Sequence, residues 1–366
     1  MLVSSTSKGA VMVRHRTQIR VGRIVSAAAF ALAAGCSGSN SGTADSSRAF
    51  APAIVGSSVS QELTIGRNGA VSPVSATRDR SIHHLAGIDT IVPDAAKGYL
   101  YVGQFSGSPV QEYHLNNKRN KAALCSLTGT SINGIAVDKA GNLWVPNGTG
   151  GGAGYTQEYA PNCGKALLNI ADPNGQPADV GFDRQHHIYI LNIFGAAGAP
   201  GSVDVYDNSG TLLRTLTYST FNELIGIATD SHDNIFVSNR DPQGNADVVE
   251  FPHGKMPGTL LSGIVLGLPG APQFDRSNNL IITDWNNYTQ NVYAPPYNGS
   301  PTITPMQGLS LWCPLNRKET FLFCADLGGS VDVYAYPSGT YEYSFTNGLS
   351  PSGFATGAAT DPAAPL

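Results

Sequence analysis

Five oxygen-bearing side chains stand at the same kind of place in this chain: Asn147, Asn192, Asn239, Asp284 and Asp326 each close a short apolar run. Carboxylate and amide oxygens converging from several such runs would suit a hard cation such as Ca²⁺ or another divalent ion. The same side chains also accept backbone N–H bonds in turns, a need that every copy of a repeated unit shares. Both roles are open at this level. Histidine offers less, because His83-His84 and His186-His187 are adjacent pairs, and neighbours on a strand point to opposite faces. No G-x-S-x-G elbow is present, so a hydrolase nucleophile of that type is not indicated. The glycine-rich stretch 147–154 lacks the lysine of a phosphate loop. Cysteines without C-x₂-C spacing argue against zinc. Cys313 and Cys324 flank one expected hairpin, and Cys125 and Cys163 fall on the outer parts of adjacent units. Both pairs could close disulfides in an exported compartment.

These residues are positioned by a repeat. An acidic or amide turn residue recurs at Asp94, Asp138, Asp183, Asp230, Asp275 and Asn316, in steps of 44, 45, 47, 45 and 41. A second landmark keeps pace: Tyr113, Tyr159, Tyr206, Phe251, Tyr293 and Tyr334, in steps of 46, 47, 45, 42 and 41. Each unit reads as four short strands. The first is small and apolar (Gly134-Ile135-Ala136-Val137); a turn follows; the second alternates around an aromatic or aliphatic residue (Leu143-Trp144-Val145). The third ends in the aromatic landmark, and a fourth follows a Pro, Gly or Asn turn. Four strands at a period near 45, with no helix signalled, predict an all-β propeller of six blades, each of four antiparallel strands. The tail SGFATGAATDP reads as a seventh first strand that completes the first blade and clamps the ring. The alternative is seven blades, with added strands from residues 60–85.

The pattern G-I-A-x-D-x-x-x-N-[LI]-[WF]-V-x-N, clearest at 134–147 and 226–239, resembles the NHL-repeat propellers and the related gluconolactonase-like and streptogramin-lyase-like six-bladed folds. The resemblance spans about residues 85–366. It implies that any enzyme site faces the channel at the start of first strands, where Asp89, Asn133, Asp179 and Glu223 stand. Gluconolactonase-like enzymes use a Glu, Asn and Asp set around a divalent ion, which these residues match loosely. Their offsets from the turn residue differ: five, five, four and seven positions before it. The repeated W-F-T-E and paired histidine of the streptogramin lyases are absent. Many NHL-type propellers bind proteins or other ligands, so the resemblance favours a non-catalytic module that binds a protein, glycan or small ligand on its loop face. A divalent-metal lactonase or lyase is the alternative.

Composition bounds the partners. Of 366 residues, 41% are hydrophobic and only 13% charged, with 42 glycines and 23 prolines, a mixture for a turn-rich packed core. The first 35 residues carry Lys8, Arg14, Arg16, Arg20 and Arg23 and no acid. Without them, 17 basic residues face 26 acidic ones and the net charge is −9, a poor match for nucleic acid. Residues 24–34 are an eleven-residue, mostly apolar run, too short to span a bilayer but suited to a secretory signal. It ends in Leu32-Ala33-Ala34-Gly35-Cys36, which resembles a bacterial lipoprotein cleavage site and implies lipidation of Cys36. Residues 36–80 then read as a flexible Ser/Gly/Ala-rich tether, and 81–366 as the propeller. The expected protein is a monomer exported and held at a bacterial membrane, facing the periplasm or the cell surface.

Overall fold

The computed structural model describes residues 98–105, 110–127, 133–148, 154–173, 175–350 and 355–361. The signal segment, Cys36, the tether, the strands considered for a seventh blade, Asp89 and Asp94 lie outside the described residues. What is described is almost wholly β: two single 3₁₀ turns, Ala196–Gly198 and Pro252–Gly254, are the helical elements within it.

Six small antiparallel sheets form the blades. Blade 2 runs Ala136–Val137, Leu143–Gly148, Gly154–Tyr159, Ala166–Asp172 from the inside outward. Blade 3 is Gly175–Phe182, Ile188–Gly195, Pro200–Tyr206, Leu212–Leu216. Blade 4 is Glu223–Thr229, Ile235–Arg240, Ala246–Phe251, Thr259–Leu260, and blade 5 is Pro269–Phe274, Leu280–Asp284, Thr289–Tyr293, Thr302–Pro305. Blade 6 has Phe321–Asp326, Ser330–Ala335 and Tyr341–Phe345. Its inner segment, 309–315, is joined by the bridges Ser310↔Asp326 and Leu315↔Leu322 and by Ala325 N–H donating to Trp312 O at 3.0 Å. Pro314 has no N–H to give, so this segment meets the sheet mainly as an acceptor. Blade 1 takes Tyr99–Gln104, Val110–His114 and Cys125–Leu127 from one part of the chain and its innermost strand, Ala355–Asp361, from the other end. Leu100 faces Thr360, and Val102 faces Ala358. The ring therefore closes with six blades, and the tail strand is the clasp.

Alternation explains why the sheets stack radially. Each blade buries both faces, and the apolar side chains of neighbouring blades meet in six hydrophobic clusters, one per junction. The aromatic landmarks sit in these seams: Tyr113, Phe251, Tyr293 and Tyr334 are all buried. Their hydroxyls, where present, grip the connection entering their own blade. Tyr113 donates to Asn347 O at 2.8 Å and Tyr293 to Val265 O at 3.0 Å, while Tyr334 accepts Gln307 N–H at 2.8 Å.

The turn acids hold the first hairpin of blades 2 to 5. Asp230 Oδ1 accepts the N–H groups of His232 and Asn234 at 2.8 and 2.9 Å, and its Oδ2 accepts Asn234 Nδ2 at 3.0 Å. Asp138, Asp183 and Asp275 accept the N–H four residues on in the same way. Each second oxygen takes an aromatic donor or a side-chain donor in the turn, such as Trp144 Nε1 on Asp138 at 3.1 Å and Tyr189 OH on Asp183 at 2.9 Å.

Candidate functional site

Superposing the six blades through their strand pairing shows what lies on the axis. The inner-strand residue three positions before the one facing Leu143 in blade 2, and its equivalents, is Gly134, Asp179, Gly226, Ala271, Trp312 and Gly357 in blades 2, 3, 4, 5, 6 and 1. Four are glycine or alanine. The two exceptions stand in opposite blades and meet: Trp312 Nε1 donates to Asp179 Oδ2 at 3.1 Å. Ile227 N–H donates to the same oxygen at 3.0 Å, and Val180 N–H to Oδ1 at 2.9 Å. A Cβ on Gly134 would overlap the Asp179 carboxylate and come within 2.6 Å of Trp312 Nε1; one on Gly226 would overlap Ala271. The indole thus reaches across the axis, and the absence of a side chain at Gly134 makes room for it. Burial pushes the Asp179 carboxyl up to about 7 against the pull of its three donors.

This register decides the fate of the channel set. Asp179 is on the axis and 3% exposed, with both oxygens bonded. Asn133 stands one residue before the axial Gly134, ahead of the inner strand Ala136–Val137, and its backbone oxygen lies beside Gly357. Glu223 is four residues before Ile227, about 13 Å up the wall from the Asp179 carboxylate. It pairs with Arg240 Nη1 at 3.5 Å, and burial raises its carboxyl above the usual range. Asp179 and Glu223 share no partner, and the unequal offsets seen in the sequence are the reason.

The strand-end ring is largely occupied by its own turns. Asn239 accepts Asn222 N–H at 3.0 Å and donates to Thr220 O and Asp247 Oδ1 at 2.8 and 2.9 Å. Asp284 accepts Gly267 N–H at 2.8 Å, Leu268 N–H at 3.2 Å, and both the backbone and side-chain N–H of Asn287. Asn147 donates to Val145 O at 2.9 Å. Asn192 donates to Asp172 Oδ2 at 2.8 Å and Asp204 Oδ2 at 3.2 Å; burial, and after it the neighbouring Asp172, raise the Asp204 carboxyl to about 6. Asp326 Oδ1 accepts Gly328 N–H at 2.5 Å, and its Oδ2, like Asn192 Oδ1, is buried without a well-formed hydrogen bond.

The cysteines form two bridges. Cys125–Cys163 joins blade 1 to blade 2, and Cys313–Cys324 ties the inner segment of blade 6 to its second strand. Glu112 Oε2 lies 3.3 Å from Cys125 Sγ, but sulfurs spent in a disulfide offer a metal no thiolate.

A cleft that the sequence did not indicate runs along the flank of blade 5, about 460 Å³ in volume. Thr289, Asn291 and Tyr293 alternate along one strand and present one face; Ile303, paired with Asn291, shares that face. Val265 and Gly263 from the preceding connection form the opposite wall. Amides of Asn287 and Asn298 and the Ser300 hydroxyl line its ends. Val265 is 78% exposed and Ile303 57% exposed, and Tyr288 projects at the hairpin beside Asn287. The loop-face signal was legible only as a rule of topology, because the cleft joins the strands of blade 5 to the connection that enters it.

No protein-family model matches the chain, and no curated protein matches it by sequence. Solved structures do match. A chain of a nidogen/laminin complex superposes with a TM-score of 0.61 at 16% identity, over 72% of this chain and 98% of that one. A protein of unknown function from Bacteroides caccae gives 0.54 at 14% over 72% and 98%. A functionally unknown protein from Desulfotomaculum acetoxidans DSM 771 gives 0.53 at 14% over 74% and 100%. What such identities share is architecture, and the architecture of this chain is a closed, NHL-like six-bladed β-propeller.

Proposed function

We propose that this propeller is a non-catalytic binding module that takes a protein segment into the flank cleft of blade 5. The observation that carries this reading is the contrast between axis and flank. On the axis, Trp312 reaches Asp179, which spends both oxygens on N–H donors. On the flank, exposed Val265 and Ile303 share a cleft with the amides of Asn287, Asn291 and Asn298, the hydroxyls of Thr289, Tyr293 and Ser300, and one acid, Asp284, whose oxygens accept N–H groups of the chain. Apolar anchors beside hydrogen-bonding groups suit an extended peptide, whose backbone needs both. One chain that shares this fold was solved within a nidogen/laminin complex, which accords with the reading. A divalent-metal lactonase or lyase at the channel mouth has less support, because Asp179 and Glu223, two of its candidate ligands, have separate partners.

Selection of displayed peptides on the purified protein tests the idea. Enriched peptides are expected to lose at least tenfold in affinity for a Val265→Asp, Ile303→Asp double variant. Failure to enrich any peptide, or enrichment of peptides indifferent to the two changes, would contradict it, as would recovery of glycans alone from a parallel array.

A further inference from the structure

The repeat allows one blade to be read against another, and blade 6 differs in a way that needs a counter-ion. Two positions lie diagonally across neighbouring strands, on the same face of the sheet, at the loop end of every blade: the last residue of the second strand's core, and the residue two before the aromatic landmark of the third. They are Gln104 and Gln111, Asn147 and Gln157, Asn192 and Asp204, Asn239 and Val249, Asp284 and Asn291, then Asp326 and Asp332. In the first five blades at least one of the pair is an amide. Blade 3 matches blade 6 most closely, with Ser202 corresponding to Ser330 and Thr215 to Ser344. There the Asn192 amide donates to Asp204 at 3.2 Å. In blade 6 the donor has become a second carboxylate.

Both acids are buried, Asp326 at 9% and Asp332 at 6% exposure. Among the described residues no Lys, Arg or His pairs with either. Equivalent oxygens in blades 4 and 5 accept a backbone N–H from the entering connection, Asn222 on Asn239 and Gly267 on Asp284. Asp326 draws on the N–H groups of Gly328 and, more weakly, Leu309, two donors where Asp284 has four. A second, independent observation points to a ligand. Ser310, 1% exposed, has a buried Oγ without a partner. As the antiparallel bridge partner of Asp326, it issues from the same face of the sheet. Ser330, which faces Asp326 across the next strand, is on that face too and donates to Asp332 Oδ1 at 3.3 Å.

Two like charges taken out of water without a partner are costly. An all-oxygen set of two carboxylates and two hydroxyls, with no nitrogen or thiolate, is the chemistry of a hard cation with a flexible shell. We propose that Asp326 and Asp332 bind a Ca²⁺ ion at the loop end of blade 6, with Ser310 and Ser330 contributing hydroxyl oxygens. The site is internal to one blade and independent of the flank cleft and of the axis. Its purpose is to neutralise a second carboxylate where a neutral amide donor serves elsewhere in the ring.

The experiment uses the full chain after chelator treatment, with CaCl₂ as the probe at pH 7.5 and thermal unfolding and calorimetry as readouts. One equivalent of Ca²⁺ is expected to bind, raising Tm by about 5 °C at a hundredfold excess over Kd. Asp326→Asn recreates the pair of blade 3; it is expected to fold, to be at least as stable as the metal-free parent, and to lose the response to Ca²⁺. Asp332→Asn is expected to lose it as well. A parent whose Tm ignores millimolar Ca²⁺ would overturn the proposal in favour of a proton shared by the two acids. Ca²⁺ binding that survives both substitutions would overturn it by placing the ion elsewhere.

Discussion

Asp179 and Trp312 illustrate how one hydrogen bond organises an axis. Burial raises the Asp179 carboxyl from 3.8 to about 7, so the folded state favours its protonated form. The stability linked to this group is complete below about pH 4 and is lost as pH rises through 7. Trp312 Nε1 opposes that loss by donating to the anion. Trp312→Phe keeps most of the ring but removes the donor, which raises the carboxyl further. The variant is expected to be destabilised at every pH, and by about 1 kcal/mol more at pH 8.5 than at pH 5, as read from urea unfolding. An equal penalty at both pH values would contradict the assignment. Asp179 was legible in the sequence as a polar residue at the start of an inner strand. Its partner was not, because 133 positions separate the two and no local spacing links them. The one available signal was size: a tryptophan at a position that is glycine or alanine in four of the other five blades.

Within the blade, the same chemistry serves different ends according to burial. Asp230 and Asp241 make nearly identical turns: each accepts the N–H two and four residues on, and the amide of an Asn four residues on. Asp230 is 3% exposed and its turn packs against the next blade, where Ser231 N–H donates to Asn278. Asp241 tips an open hairpin. Asp230→Ala strands buried donors and is expected to cost about 1–3 kcal/mol, whereas Asp241→Ala, whose donors reach water, is expected to cost less than about 1 kcal/mol. Equal costs in denaturant unfolding would show that the recurring acid is a local device only. Turn acids, strand ends and landmark aromatics were all readable because their reasons are local and repeat in every blade. The flank cleft and the acid pair of blade 6 were not, since both depend on which residues stand opposite one another across strands and connections.

At the scale of the molecule, the repeat alone fixed the period and left the closure to be found. Six turn landmarks fit a ring of six, but a seventh blade needed only one more sheet, and the tail read as a first strand without a blade of its own. The structure resolves this by pairing Ala355–Asp361 with Tyr99–Gln104, so chain segments some 250 positions apart share one sheet. The inner strand of blade 1 is then equivalent to the other five, and Gly357 takes its place on the axis beside the Asn133 carbonyl. Clasping two ends of a chain into one blade makes every junction dependent on every other, which a linear array would not. Cross-linking tests this most directly. In a chain with Cys36 replaced by Ser, cysteines placed at Val102 and Ala358, which face each other, are expected to oxidise to a disulfide recovered as a linked peptide by mass spectrometry. Cysteines at Val102 and Thr360, two positions out of register, are expected to remain unlinked. Absence of the first link, or equal formation of both, would contradict a six-bladed ring closed by its tail.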